Sequence, residues 1–230
     1  MVKKSIAIIP ARGGSKRIPK KNIINFNGKP MIAWTIISAI ESYCFDRVLV
    51  STDSEEIVEI SKSYGAEVPF MRDGLSDDIT PTSTVTISAL NQASSFWKEE
   101  YNTVFQLMPN CPLRDKNVVK KFVGEFDREN HDFLISCFKF GWMNPWWALK
   151  KENDKHSFLF PEAEGKRSQD LDDLWCPTGS IWAAKSAELI QAGTFYGPGV
   201  SYFEIDLSSA MDIDNFDDLK FASALSQVKI

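Results

Sequence analysis

Short apolar runs alternate with longer segments of helical periodicity along most of this chain. The runs at 6–10, 47–51, 67–71, 103–107 and 133–140 are typical of buried strands. Helical spacing lies between and after them, at 31–40, 53–65, 83–97, 116–129 and 216–225. This alternation predicts βαβ crossovers and a mostly parallel, Rossmann-like sheet with helices on both faces, a three-layer α/β/α fold. We interpret residues 1–230 as a single domain.

The segment after the first apolar run is purely basic and rich in glycine. It reads PARGGSKRIPKKN, with five cations around the pair Gly13–Gly14: Arg12, Lys16, Arg17, Lys20 and Lys21. Glycine allows backbone N–H groups to approach an anion, and arginine can fork onto phosphate oxygens. Ligands of such sheets bind at the carboxyl ends of strands, which favours a phosphate loop here over a solvated basic turn. Neither the GxxxxGK[ST] nor the GxGxxG pattern is present.

The rest of the composition excludes several partners. The net charge of -5 argues against a nucleic-acid binder, which would usually be basic over a whole face. The four cysteines form no CxxC pair, and with two histidines they make a poor zinc set, so we expect a reducing, cytoplasmic location. No apolar run approaches the ~20 residues of a membrane span, and the N-terminus lacks a signal peptide, so we expect no membrane partner.

The alternation of apolar runs and helical segments stops at about residues 141–179. This segment holds four of the seven tryptophans, Trp142, Trp146, Trp147 and Trp175, among charged, loop-like sequence. Aromatic area of this size must be buried against something. We interpret the segment as an inserted arm that mediates a homodimer, with a satellite core of the same chain as an equal alternative.

Two acids near the C-terminus form a candidate metal site. In an extended chain, Asp212 and Asp214 project to one face while Ile213 points to the other, into the core. Two carboxylates suit Mg²⁺, which usually takes one or two of them together with substrate phosphate oxygens. The alternative is that Asp214 caps the last helix. We interpret Asp53, which precedes Glu56 by three positions, as a helix cap.

The segment SIAIIPARGGSKRIPKKNIINFNGKPMIAWTI resembles the opening of the CMP-sugar synthetases, the acylneuraminate cytidylyltransferases. Further matches follow in order, namely VLVSTDSEEI, YGAEVPFMR, LMPNCPLR, KRSQDL, PTGSIW and MDID, and extend over nearly the whole chain. The resemblance implies a nucleotide-diphospho-sugar transferase-like fold and an Mg²⁺-dependent enzyme that joins CTP and a nonulosonic acid to give a CMP-sugar and pyrophosphate. The pair Lys21–Asn22 favours the sialic-acid branch over the Kdo branch.

The resemblance also implies roles for individual residues. Arg12 would be the main phosphate ligand and would stabilise charge on the α-phosphate and the leaving pyrophosphate, with Gly13, Lys16 and Lys21 beside it. Asn22 and Arg72 would hold the nucleoside. Without the resemblance, the loop position of Arg72 would indicate a surface arginine. Asp212 and Asp214 would bind the metal and act in catalysis. Whether Asp212 or the metal alone deprotonates the sugar hydroxyl stays open.

The sugar side departs from the family pattern. The family usually has LLQPTSPLR and RPNGAIY where this chain has QLMPNCPLR and CPTGSIW. A glutamine is thus replaced by Met108, whose thioether is a poor substitute for an amide, and an asparagine is replaced by Thr178. Arg167 and Gln169 match a loop that faces the sugar in the family. We therefore expect a pocket formed in part by Met108, Arg167, Gln169 and Thr178, and a modified sugar such as pseudaminic or legionaminic acid. The alternatives are another nucleotidyltransferase, including one for Kdo, and an inactive nucleotide-binding homologue.

Overall fold

The computed structural model describes residues 3–72, 74 and 79–228. The strands, in chain order, are β1 (Ser5–Pro10), β2 (Asn25–Phe26), β3 (Lys29–Pro30), β4 (Arg47–Ser51), β5 (Thr103–Leu107), β6 (Phe133–Lys139), β7 (Leu149–Glu152), β8 (Lys155–Phe158), β9 (Trp175–Lys185) and β10 (Ser201–Glu204). The helices are α1 (Met31–Ser42), α2 (Glu55–Ser63), α3 (Thr82–Trp97), α4 (Lys116–Arg128), α5 (Ser186–Ala192) and α6 (Phe216–Leu225).

The central sheet is mostly parallel. Within the described residues it has six strands in the order β10-β6-β9-β5-β1-β4. Strand β1 pairs in parallel with β4 and β5, and β10 pairs in parallel with β6. Strand β9 runs antiparallel to both β5 and β6. The carboxyl ends of β1, β4 and β5 therefore meet at one edge of the sheet.

Helices cover both faces of this sheet. In β1, Ala7 and Ile9 pack on the side of α1, α2 and α4, while Ile6 and Ile8 pack on the side of α3 and α5. All four side chains are fully buried, as expected of a central strand whose successive residues point to opposite covered faces. The predicted three-layer α/β/α fold is thus confirmed.

Most predicted elements are present with ends shifted by one or two residues, but the strand predicted at 67–71 is wrong. Within the described residues this segment makes only an isolated bridge, in which Glu67 pairs in parallel with Leu49. The physical reason is Pro69, which has no N–H and cannot continue a ladder. No helix among the described residues is long and apolar enough to cross a membrane.

The prediction that Asp53 caps α2 is also wrong. Ser54 occupies the N-cap position, and no side chain makes a cap hydrogen bond there. Asp53 instead turns toward the basic loop, where its Oδ1 accepts the backbone N–H of Gly13 at 2.7 Å. The acid therefore joins two loops at the carboxyl edge of the sheet.

The segment predicted as an arm contains a small hairpin. Strands β7 and β8 pair with each other, and their turn has positive φ at Asn153 (48°) and Asp154 (62°), as two-residue hairpin turns require. Trp146 packs edge-on against Phe160 with ring centroids 5.2 Å apart, whereas Trp142 is 82% exposed. The hairpin thus makes some local contacts but leaves much of its surface open.

Gly197 should be essential for stability. A Cβ built on Gly197 would lie 2.3 Å from Cζ of the buried Phe133 ring. We expect Gly197→Ala to lower the free energy of unfolding by about 1–3 kcal/mol or more, because the core cannot absorb this overlap. Urea denaturation measures the change. Gly124→Ala is the matched control, since Gly124 lies on the exposed face of α4 and its Cβ would meet nothing within 4 Å. Equal losses in both variants would contradict the packing argument.

Candidate active site

A cleft of about 550 Å³ opens at the carboxyl edge of the sheet, above β1, β4 and β5. Cations from two separate segments line it: Arg12, Lys16, Arg17 and Lys21 from the basic loop, and Arg72 from the segment after β4. Asp212 and Asp214 line the same cleft. The loop cations and the C-terminal acids, almost 200 positions apart in sequence, are therefore neighbours in the folded chain.

A small apolar cluster brings these two charged segments together. Ile18 from the middle of the basic loop and Ile213 from between the two acids are both fully buried, and they pack in one cluster with Phe26 and Met31. Burying side chains of this size contributes roughly 1.5–3 kcal/mol each. The convergence of opposite charges is thus fixed by apolar packing beneath them.

The basic loop is held by its own side chains and by the neighbouring turn. Asn22 is buried, and its Nδ2 donates to the carbonyl of Arg12 at 2.9 Å. The N–H of Gly13 is engaged by Asp53, and Gly14 rather than Gly13 lines the cleft. Asn22 and Gly13 therefore shape the loop, and contact of either with nucleotide stays a prediction.

The two acids have the geometry expected from their spacing. Ile213 is buried between them, and both carboxylates border the cleft. Asp214 pairs with Lys21 at 2.9 Å and with Arg17 at 2.8 Å. The alternative role of Asp214 as a helix cap is wrong, because Asn215 caps α6 in a capping box with Asp218.

The electrostatic environment shifts the pKa values of the two acids in opposite directions. The pKa of Asp212 is raised to about 6, because desolvation by the surrounding protein disfavours its charged form and Asp214 adds like charge. Burial also disfavours the charged form of Asp214, but its hydrogen bond to Lys21 and the charges of Lys21 and Arg17 outweigh this effect and lower its pKa. Asp214 is thus ionised well below neutral pH, whereas Asp212 titrates just below it.

Asn110 is a site residue that the sequence did not single out for a role. It is buried at the base of the cleft, and its Nδ2 donates to Asp212 Oδ1 and to the Ile213 carbonyl, the latter at 3.3 Å. The Ile213 N–H donates back to the Asn110 carbonyl at 2.9 Å. Asn110 therefore fixes the extended segment that carries both acids.

The donor set suits a hard divalent cation that is shared with a ligand. Among the described residues, no group of three or more histidine, cysteine or acidic side chains could hold a metal by itself. Two carboxylates beside a cationic loop match a cation that takes its remaining oxygens from phosphate. The residues present thus fit Mg²⁺, and the roles of Asp212 and Asp214 as its ligands stay predictions.

Arg72 is not the surface arginine that its loop position suggested. It is 9% exposed, and its Nη2 and Nε donate to the carbonyl and hydroxyl of Ser51 at 2.5 and 3.2 Å. Burial lowers its pKa, with Asp53 opposing this shift and Arg12 adding to it. Arg72 is therefore a fixed cation of the cleft wall.

The predicted sugar-side residues are not brought together within one chain. Met108 lines the cleft and lies against Gly179, where an added Cβ would be 3.3 Å from Met108 Cγ. Thr178 is buried and donates to the Ala210 carbonyl at 2.8 Å. Arg167 and Gln169 are exposed outside the cleft, and Arg167 pairs with Asp170. Their roles in sugar binding stay predictions.

Arg114 is a second residue without an assigned role, although it ends the quoted motif LMPNCPLR. It is fully buried, and it donates to the Ser180 carbonyl, to Thr35 Oγ1 at 2.9 Å and to the Met108 carbonyl at 3.4 Å. Burial lowers its pKa to about 10. Arg114 fixes the backbone behind Met108 and Gly179, a role that only the tertiary structure reveals.

The sheet order and the position of the cleft define an α/β protein with a candidate ligand site at the carboxyl ends of its parallel strands. A solved structure of CMP:2-keto-3-deoxy-manno-octonic acid synthetase complexed with CTP shares this fold, with a TM-score of 0.71 and 17% identity over 97% of this chain and 98% of that one. A family model described as cytidylyltransferase matches residues 6–139, more than half of the chain. The chain belongs to the cytidylyltransferase family.

Curated relatives match along nearly the whole length. Pseudaminic acid cytidylyltransferase of Campylobacter jejuni subsp. jejuni is 37% identical over 98% of this chain and 97% of its own. CMP-N,N'-diacetyllegionaminic acid synthase of Legionella pneumophila subsp. pneumophila is 31% identical over 91% of this chain and 90% of its own. These matches confirm the resemblance found in the sequence motifs and identify the protein as an enzyme of the cytidylyltransferase type.

Proposed function

We propose that this protein joins CTP and a nonulosonic acid to give a CMP-sugar and pyrophosphate. The observation that carries this proposal is the convergence of the basic loop and the paired acids on one cleft at the carboxyl edge of the sheet. The relatives named for pseudaminic and legionaminic acid chemistry support the same reaction.

The sugar we favour is pseudaminic acid. The relative with this printed activity is 37% identical over 98% of the chain, against 31% for the legionaminic acid synthase. The cleft agrees with a less polar sugar, because the Met108 thioether borders it at the position where the family usually has glutamine. A deoxygenated, acylated sugar presents fewer hydroxyls to such a surface.

In the reaction, the sugar C2 hydroxyl attacks the α-phosphorus, a new O–P bond forms, and the bond to the β-phosphate oxygen breaks. Arg12 binds the phosphate oxygens and offsets charge on the α-phosphate and the departing pyrophosphate. Lys21, Lys16 and Arg17 add positive charge along the leaving group. Arg72, held rigidly by Ser51, contributes to the wall against which the nucleotide rests.

Asp212 and Asp214 would hold Mg²⁺, and Asn110 would keep the segment carrying them in place. When bound, Mg²⁺ supplies Lewis-acid charge to the phosphate oxygens and lowers the pKa of a nearby hydroxyl. Lys21 and Arg17, which pair with Asp214, line the same cleft and would also contact the phosphates. The hydroxyl proton leaves to the Asp212 carboxylate or to water.

Pyrophosphate release from CTP with Mg²⁺ and a panel of sugars tests the reaction. We expect turnover with pseudaminic acid at a kcat/KM at least about tenfold above that with N-acetylneuraminic acid, since an apolar surface rejects a substrate with an added, unpartnered hydroxyl by up to about 10²-fold. Turnover with Kdo alone would contradict the assignment to nonulosonic acids. Tight CTP binding without turnover of any sugar would favour an inactive homologue.

We also propose that the protein acts as a homodimer in the cytoplasm. Exposed apolar side chains on the arm and on the nearby edge strand β10, namely Trp142, Met143, Leu149, Trp175 and Tyr202, support self-association. All four cysteines are free, in keeping with a reducing compartment. Light scattering at micromolar concentration should give twice the mass of the chain, and Trp142→Ser with Leu149→Ser should give the monomer mass. A monomer in the unmodified protein would contradict the proposed dimer.

A further inference from the structure

The turn between β4 and α2 forms hydrogen bonds with the basic loop and holds it in place. The Ala11 N–H donates to the Ser51 carbonyl at 2.9 Å, and the Gly13 N–H donates to Asp53 Oδ1 at 2.7 Å. Together these bonds bracket Arg12, with one partner before it and one after it. The backbone that carries Arg12 is therefore set by residues 51–53.

Close packing at Gly13 supports this fit independently of the hydrogen bonds. A Cβ on Gly13 would lie 2.9 Å from Cβ of Ser54 and 3.6 Å from Asp53 Oδ1. Contacts below 3.0 Å are not tolerated without movement of one partner. The loop backbone at Gly13 thus packs directly against the side chain of Ser54, which leaves no room for a side chain between the loop and the turn.

The charge of Asp53 has a second consequence. Arg12 and Arg72 both line the cleft, and their like charges act against one another. Asp53 lies close enough to favour the charged form of Arg72. Its carboxylate therefore offsets the repulsion between two guanidinium groups that must share one wall of the cleft.

The geometry points to Asp53 as a positioning residue that sets the backbone carrying Arg12, and so its guanidinium toward the phosphates, through the bond from the Gly13 N–H. This inference rests on the proposed function. Asp53 itself touches no reacting atom. An acid that ties the phosphate loop to the neighbouring βα turn determines where the main cation stands, and displacement of about 1 Å can cost ~10²-fold in rate.

Asp53→Asn is the direct test, with kcat and KM for CTP measured separately. We expect kcat to fall about 10- to 100-fold while KM for CTP does not rise, because an amide accepts the Gly13 N–H more weakly than a carboxylate and the cleft loses a negative charge, which misplaces Arg12 in the transition state. A merely structural role would lower the melting temperature without this split between kcat and KM.

Asp46→Asn is the matched control. Asp46 Oδ2 accepts the backbone N–H of Ser5 at 2.7 Å, the same kind of bond at the opposite end of β1. It should leave kcat within about twofold of the unmodified enzyme. An equal loss of kcat in both variants would overturn the inference, because the effect would then be one of general stability.

Gly13→Ala tests the same contact between loop and turn by a change in the loop, and it does not change the charge of the cleft. Its added Cβ should push the loop from Ser54 and lower kcat in the same way, so it decides the matter should Asp53→Asn fail to fold. A folded Asp53→Asn or Gly13→Ala variant with kcat within about twofold of normal would overturn the inference. Inactivity of the unmodified enzyme with every sugar would instead contradict the proposed function.

Discussion

Replacing Arg12 by alanine should abolish CMP-sugar synthesis while leaving the fold intact. Arg12 is half-buried at the start of the basic loop, where it borders the cleft shared with Asp212. In the proposed reaction it meets charge that develops in the transition state. Removing one such donor costs about 10²–10³-fold in kcat, so we expect a loss at least of this size.

Pyrophosphate release measures the Arg12→Ala effect, and circular dichroism with thermal melting checks the fold. Arg128→Ala is the matched control, because Arg128 is an exposed arginine that pairs with Glu125 and Glu129 on α4. It should retain normal activity. Near-normal turnover by Arg12→Ala would contradict the phosphate role of the basic loop.

Replacing Asp212 by asparagine should remove both metal binding and turnover. An amide keeps the size of the side chain but loses the charge, and a two-carboxylate site depends on both charges. We expect affinity for Mn²⁺ in the presence of CTP to fall at least about tenfold and kcat about 10²-fold or more, since metal charge stabilises the transition state by several kcal/mol. Titration calorimetry and pyrophosphate release measure the two effects.

The raised pKa of Asp212 adds a pH dependence with a definite sign. With a pKa of about 6, Asp212 is protonated below this pH and ionised above it, so metal affinity should rise between pH 5 and 7. Because this folded-state pKa lies above the ordinary value of 3.8, the metal-free protein should lose stability as the pH rises from about 4 to about 6 and change little above that. Asp212→Asn should therefore lose metal affinity without losing metal-free stability at pH 7.

Asp217→Asn is the control for this experiment. Asp217 belongs to the same acidic stretch, but its side chain is 89% exposed and pairs with Lys220 on the surface of α6. It should bind Mn²⁺ normally. Unchanged metal affinity in Asp212→Asn, or equal losses in the two variants, would contradict the assignment of the metal site.

The layered fold could be predicted from the sequence because its signals are local. The buried run that became β1 and the helical spacing that became α4 each reflect periodicity within a few residues. The strand predicted at 67–71 failed for a reason also present locally, namely Pro69. The prediction gave more weight to the apolar neighbours of Pro69 than to the missing N–H of the proline.

The charged members of the candidate site could be predicted, but the contacts that position them could not. Arg12, Asp212 and Asp214 stand out by charge and spacing, and all three border one cleft. The role of Asp53 toward Gly13 and that of Asn110 toward Asp212 depend on tertiary contacts between distant segments. A capping pattern at Asp53 therefore predicted the wrong partner.

The sugar side shows a different limit. Arg167 and Gln169 match a sugar-facing loop by sequence, but in one chain they lie exposed and away from the cleft. Sequence similarity carries the identity of such residues, but it does not give their position relative to the cleft. Met108, by contrast, follows directly from the end of β5 and so lies at the cleft.

The central claim is that the loop cations and the two C-terminal acids act on one metal–triphosphate. A crystal structure with Mn²⁺ and a non-hydrolysable CTP analogue, using the anomalous signal of manganese, tests it most directly. We expect an anomalous peak between the carboxylates of Asp212 and Asp214 and the α-phosphate, with the Arg12 guanidinium on the phosphate oxygens. Manganese bound away from both acids, or triphosphate bound away from Arg12, would contradict the claim.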